Sequence, residues 1–241
     1  MTPADAQPPS GHRTMAPAIA DAGNYYRWVF SAVERFLGRA VLEIGPGWGR
    51  MVSLVEASGR SYRAVDIDEQ VIRDLKARFP RKEERFTLGD ISSRGTAEKL
   101  AGAGIDTILM MNVLEHVEHD GAFLRGLKTN FPGCRVVLQL PALPALYGRL
   151  DRDAGHFRRY TARSARAALE AAGYAPEEIF YFNFLGAITW FLASRVAGFS
   201  LDSNAVNNAV NFNDRFLVPI SLALDPLTRR LAGQSVIAVA R

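Results

Sequence analysis

Apolar and polar positions along this chain fall into alternating blocks of two periods. Short apolar runs predict strands at 41–45, 62–66, 85–88, 105–111, 134–140, 177–184 and 235–240. Between the early runs, helical spacing of apolar positions predicts helices over 48–58, 69–79, 94–102 and 119–129, with a later one over 162–172 that ends at Gly173. An opening helix is predicted from Asn24 to Leu37, where Tyr25, Trp28, Val29, Val33 and Phe36 form a stripe and Gly38 closes it. Strand and helix in alternation predict an α/β fold, a mostly parallel sheet with helices on both faces. The pattern fails over 185–233, a strongly apolar stretch followed from Ser203 by a second helical stripe of Val206, Val210, Leu217, Ile220 and Leu224, which Pro219 should kink. Asn204, Asn207, Asn208, Asn211 and Asn213 crowd the first part of that stripe. This segment reads as a helical insertion on a single domain of residues 24–241. Residues 1–23, rich in Pro and Ala, read as a disordered tail.

The candidate chemistry gathers at strand ends. Val41, Leu42 and Ile44 lead into Gly45, Gly47 and Gly49, so a buried strand runs into a glycine loop and then a helix. The spacing is G-x-G-x-G after Glu43, which differs from the G-x-G-x-x-G of dinucleotide folds. Glu43 ends the first strand. Asp66 follows it by 23 residues, Asp90 follows Asp66 by 24, and Asn112 follows Asp90 by 22. In a parallel sheet this period places all four on the carboxyl rim, where open α/β sheets bind ligands. A carboxylate at the second strand end can accept from both ribose hydroxyls, and one at the third from an adenine amino group. Each also has a plainer reading: Asp66 and Asp90 as turn or helix caps, Asn112 as a strand terminus.

Taken together, VLEIGPGWGR, AVDID, LGDI and MNVLEHV resemble motifs I to IV of the class I S-adenosylmethionine-dependent methyltransferases, over about residues 24–180. The resemblance implies a Rossmann-like seven-stranded sheet whose last strand, 235–240, is antiparallel. It implies S-adenosylmethionine as cofactor and S-adenosylhomocysteine as product. It places Asp66, with Ile67 beside it, on the ribose, Asp90 and the Ile91 amide on adenine, and Glu43, Gly45 and Gly47 around the methionine moiety, with Asn112 on the same rim. Asn24 to Trp28 resembles a helix that folds over the cofactor, so Tyr26 and Trp28 are candidates for packing near the sulfonium, as cation-π partners or as core.

The acceptor side is less specific. The fifth strand ends at Gln139-Leu140-Pro141, and the loop after it carries Asp151, Asp153, His156, Arg158, Arg159 and Tyr160. Methyl transfer needs an aligned nucleophile, and a base only where a proton must leave. His156 is the first candidate base, oriented by Asp151 or Asp153, and Tyr160 the second. Arg158 and Arg159 suit an anionic acceptor group, or an ion-paired loop with those aspartates. His116 is a candidate substrate contact beside Glu115 and His119. No metal site is expected there, because no third ligand stands nearby in sequence. Trp190 and its aromatic neighbours give the insertion an apolar character that suits a pocket cap, a homodimer interface or a shallow membrane contact.

Composition narrows this further. The single cysteine, Cys134, excludes an internal disulfide, and cytoplasm is the expected compartment. No run reaches the roughly 18 apolar residues of a membrane span. The chain has 29 basic and 25 acidic residues, and the basic ones are scattered, so no nucleic-acid stripe is expected. The leading expectation is methyl transfer to O, N or C of a small, partly hydrophobic molecule. The alternatives are a nucleic-acid methyltransferase and a non-transferring binder or cyclase on the same fold.

Overall fold

The computed structural model describes residues 11–192 and 203–241. In chain order the elements are α1 (Gly23–Val33), β1 (Ala40–Ile44), α2 (Arg50–Ala57), β2 (Ser61–Asp66), α3 (Glu69–Arg78), β3 (Phe86–Leu88), α4 (Arg94–Ala101), β4 (Thr107–Met111) and α5 (Asp120–Asn130). They continue with β5 (Arg135–Pro141), α6 (Arg149–Asp153), α7 (Ala162–Ala171), β6 (Pro176–Phe182), α8 (Phe184–Phe191), α9 (Asn204–Phe212), α10 (Val218–Thr228) and β7 (Ser235–Ala240). The strands form one sheet in the order β3-β2-β1-β4-β5-β7-β6. β7 is antiparallel to both its neighbours, and the β1–β2, β1–β4, β2–β3 and β4–β5 pairs are parallel. The expected seven-stranded sheet with one reversed strand is the observed one.

Strand alternation builds a core on each face. Leu42, Ile108, Met110, Val136 and Leu138 pack with Leu100, Leu124, Leu127 and Leu169 on one side. Val41, Leu109, Val137, Ile237 and Val239 pack with Val29, Val52, Val71 and Leu75 on the other. Successive residues of a strand face opposite ways, so a strand buried on both faces is a nearly continuous apolar run. That is why the strands were visible as unbroken runs. Chain order reverses between β1 and β4, and a crevice opens at such a switch point beyond the strand ends.

Three segments differ from expectation. Within the expected tail, residues 1–10 lie outside the described residues. Gly11–Thr14 and Pro17–Asp21, however, form 3₁₀ turns that pack on the fold. His12 stacks on Trp48 with ring centroids 3.6 Å apart, and the Ala18 amide donates to Asn207 Oδ1 at 3.0 Å. In the insertion, residues 193–202 lie outside the described residues. The break between its later helices falls at a π-helical turn, Asn213–Leu217, before Pro219. Pro219 occupies the first turn of α10, where its missing N–H costs nothing. The sixth strand ends at Phe182 and not at 184, because Asn183 turns to φ +63° and its side chain accepts from the Gly186 amide at 2.9 Å, starting α8.

The tail and the insertion meet at the amino end of α1. Ala22 offers that helix no side-chain cap. Asp214 supplies one from across the chain, accepting from the Tyr25 amide at 2.7 Å and the Asn24 amide at 3.4 Å. Free helix amides favour a carboxylate there. Asp214→Ala is therefore expected to lower unfolding free energy by about 0.5–2 kcal/mol, measured by denaturant titration. An unchanged midpoint would show that the cap is unimportant.

Candidate active site

A cavity of about 850 Å³ opens over the carboxyl ends of the strands. Glu43, Gly45, Gly47, Asp66, Ile67, Asp90, Ile91 and Asn112 all line it. So do Tyr26, His116, His156, Arg159 and Trp190. Each rim residue is delivered by the same device, a parallel strand stopping at the crevice. Gly45 sits at φ +69°, and a Cβ there would stand 2.6 Å from Val113 Cγ2, so the turn excludes any side chain. Asn112, directly after β4, sits at φ +55°, a left-handed conformation uncommon outside glycine, while its amide donates to the Gln139 carbonyl at 2.9 Å.

The plainer capping readings separate by residue. Asp68, not Asp66, is the N-cap of α3, and Ser93, not Asp90, that of α4. Asp66 Oδ1 accepts the Asp68 amide at 2.8 Å, and Asp90 Oδ1 accepts the Ser92 amide at 2.8 Å.

Three candidate residues are not brought to the cavity. Trp28 is buried in the core against Phe182, ring centroids 4.1 Å apart, because it lies on the inner stripe of α1. Tyr160 packs in the core, its hydroxyl donating to Asp120 Oδ2 at 2.8 Å, and burial followed by that aspartate pushes its pKa up. Arg158 turns away to Asp120 Oδ1 at 2.7 Å and to the Glu118 carbonyl. Arg159 reaches the cavity wall but is committed: Nε donates to Asp151 Oδ1 at 2.7 Å and Nη1 to the Ala142 carbonyl at 2.8 Å. The locked-loop pairing with Asp151 holds for Arg159, whereas Arg158 pairs with Asp120 and Asp153 with Arg149.

Sequence reasoning passed over other lining residues. Met15 and Ile19 come from the expected tail, and Val206 and Val210 from α9. Gln139 lies at the floor, its amide donating to the Tyr25 hydroxyl at 2.6 Å. Glycine spacing and strand-end acids give no signal for residues that arrive from distant segments.

The electrostatics of the floor are unusual. Burial pushes Glu43 up to about 8, opposed by the hydrogen bond from the Tyr62 hydroxyl and reinforced by the nearby Asp66. Burial pushes Asp66 up to about 6. Burial raises Glu115 to about 7 and lowers His116 to about 4. Asp151 moves the other way. Burial raises it, but hydrogen bonds from His156, Arg159 and the Gly148 amide prevail and hold it below the ordinary carboxylate range. Glu43 and Asp66, buried acids at the floor, favour a positively charged ligand there, while Arg50 and Arg159 also line the cavity.

A family model described as "Methyltransferase domain" matches residues 18–179. The chain belongs to the class I S-adenosylmethionine-dependent methyltransferase family. This methyltransferase is 28% identical over 180 residues to a "Probable S-adenosylmethionine-dependent methyltransferase" of Mycolicibacterium smegmatis, covering 72% of this chain and 67% of that one. It is 33% identical over 111 residues to the ribosomal RNA small subunit methyltransferase A of Pseudomonas aeruginosa, covering 41% of each. Its fold is similar to that of a solved S-adenosylmethionine dependent methyltransferase from Mesorhizobium loti, with TM-score 0.57, 16% identity, and 90% of this chain and 97% of that one covered.

Proposed function

We propose that this enzyme moves the methyl group of S-adenosylmethionine to an oxygen, nitrogen or carbon nucleophile of a small, partly apolar molecule. The observation that carries this reading is the convergence of Glu43, Asp66, Asp90 and Asn112 with the glycine loop on one cavity. In it, Asp66 holds the ribose hydroxyls, and Asp90 with the Ile91 amide receives adenine. Glu43, Gly45 and Gly47 surround the methionine part. Tyr26 closes over the sulfonium from α1. The acidic floor then meets the ammonium and sulfonium charges of the donor, which favour the ionised carboxylates.

Leu150, Ala154, Trp190, Val206 and Val210 also line the cavity, and we assign them to the acceptor side. Apolar walls with a few polar groups suit a small molecule. Among the described residues no helix is long and apolar enough to cross a membrane. The transfer is an in-line displacement: the nucleophile's lone pair forms the bond to carbon while the sulfur–carbon bond breaks. Holding the two collinear supplies most of the acceleration.

Calorimetry with S-adenosylhomocysteine tests the donor site. Asp66→Ala should weaken binding by about 1–3 kcal/mol, the cost of leaving buried hydroxyls unpaired. An unchanged dissociation constant contradicts the ribose role. Labelled methyl transfer into a fractionated small-molecule extract tests the acceptor class. Label appearing only in RNA or DNA would move the assignment to a nucleic-acid acceptor.

A further inference from the structure

Glu115 and His116 lie just beyond β4 in a 3₁₀ turn, Leu114–His116, and His156 lies 40 residues on in the loop after α6. The chain ties them together. The Phe157 amide donates to the Glu115 carbonyl at 2.9 Å, and the His156 amide to the Asp151 carbonyl at 2.8 Å. Glu115 is fully buried, yet neither carboxylate oxygen has a hydrogen-bond partner among the described residues. His116 Nδ1 is also buried without one. Leaving such groups uncompensated is costly, so they call for a partner. His156 Nδ1 is engaged by Asp151 Oδ1 at 2.9 Å, which leaves Nε2 facing Glu115 Oε1 at 3.9 Å. One ligating atom from each of Glu115, His116 and His156 lies within 4.8 Å of the others.

We propose that Glu115, His116 and His156 bind one divalent transition-metal ion at the wall of the cavity. The expectation of no metal here rested on the missing third ligand, and His119 does not supply it, being exposed at the start of α5. His156 supplies it from a distant loop. Two imidazoles and a carboxylate suit Zn²⁺, Mn²⁺, Fe²⁺ or Co²⁺ rather than Ca²⁺, which takes six or more oxygens. Ligands about 2.1 Å from one ion stand roughly 3–4 Å apart, so loading closes the present spread by about 1 Å. Asp151, held by Arg159 Nε and the Gly148 amide, fixes the His156 ring as carboxylates fix metal-binding histidines elsewhere. Three protein ligands leave coordination positions open. His116 and His156 line the cavity, so those positions face the acceptor space and fit an oxygen of the acceptor. That use rests on the methyl-transfer reading; ion binding does not.

The test is titration of the untagged, chelator-stripped full chain with Co²⁺, followed by visible absorption, and with Zn²⁺ and Mn²⁺, followed by calorimetry. The expected result is one tightly bound equivalent. Glu115→Gln and His156→Gln should each weaken it more than about tenfold, while His119→Ala leaves it unchanged. Absence of stoichiometric binding by the unaltered chain overturns the site, as does equal binding by folded Glu115→Gln, which would assign the unpaired oxygens to water. S-adenosylhomocysteine affinity measured alongside separates the two readings. For the unaltered chain, cofactor binding without ion binding refutes the metal site alone, and ion binding without cofactor binding refutes the donor site alone.

Discussion

Asp151→Asn is expected to lower unfolding free energy by about 3–5 kcal/mol, the usual cost of breaking one side of a buried ion pair. The Asp151 side chain is wholly buried, and that of Arg159 is 1% exposed. Asp151 also receives the Gly148 amide at 2.9 Å and His156 Nδ1 at 2.9 Å. An amide oxygen in its place leaves the largely buried guanidinium without its countercharge. The pair itself need not be strongly stabilising, because desolvation offsets most of its attraction. The double change Asp151→Asn with Arg159→Met should therefore recover much of the loss. Denaturant titration reads both, with the slope unchanged and only the midpoint moved. A loss below about 1 kcal/mol for the single change would mean that the loop relaxes to admit water. The same carboxylate orients His156, so the fold of the loop and the geometry of the acceptor end depend on one side chain.

The second large effect belongs to Glu43, fully enclosed beneath the glycine loop. Its folded pKa is raised from the ordinary 4.5 to about 8 by burial. Between those values the folded chain holds a proton that the unfolded chain has lost. Stability is then fully present below about pH 4.5 and is lost as pH rises through 8. Each pH unit of that window is worth about 1.4 kcal/mol. Between pH 5 and pH 8 the ligand-free protein should lose on the order of 3 kcal/mol from this group. Glu43→Gln should remove the slope, so that the variant gains on the unaltered chain as pH rises and matches it near pH 5. Parallel pH profiles for the two proteins would show that the group ionises without penalty. A cation in the cavity has the opposite effect. Cofactor binding should release a proton near pH 7, visible as a dependence of calorimetric heat on the ionisation enthalpy of the buffer.

The two predictions separate what was legible in the chain from what was not. The strands were legible because a sheet covered on both faces is apolar at nearly every position, as Val41 with Leu42 and Leu109 with Met110 show. The polar rim of the cavity was legible for a related reason. One strand-helix unit has a nearly constant length, so polar residues at strand ends recur in phase and fall on one edge. Trp28 and Tyr160 were not separable from their true neighbours. An aromatic on a helical stripe reads the same whether it meets a ligand or Phe182, and a hydroxyl near a histidine reads the same whether it faces substrate or Asp120.

Local sequence thus determined the fold class, the glycine turn and the row of acids at the strand ends, since each depends on residues close together along the chain. Tertiary structure alone decided which side chains face one another across long separations. It brought residues 11–21 over the glycine loop and Asp214 to the start of α1. It bound Arg159 to Asp151 and carried His156 to Glu115 and His116. Contacts of that kind are set by packing geometry and desolvation, and neither leaves a period in the sequence.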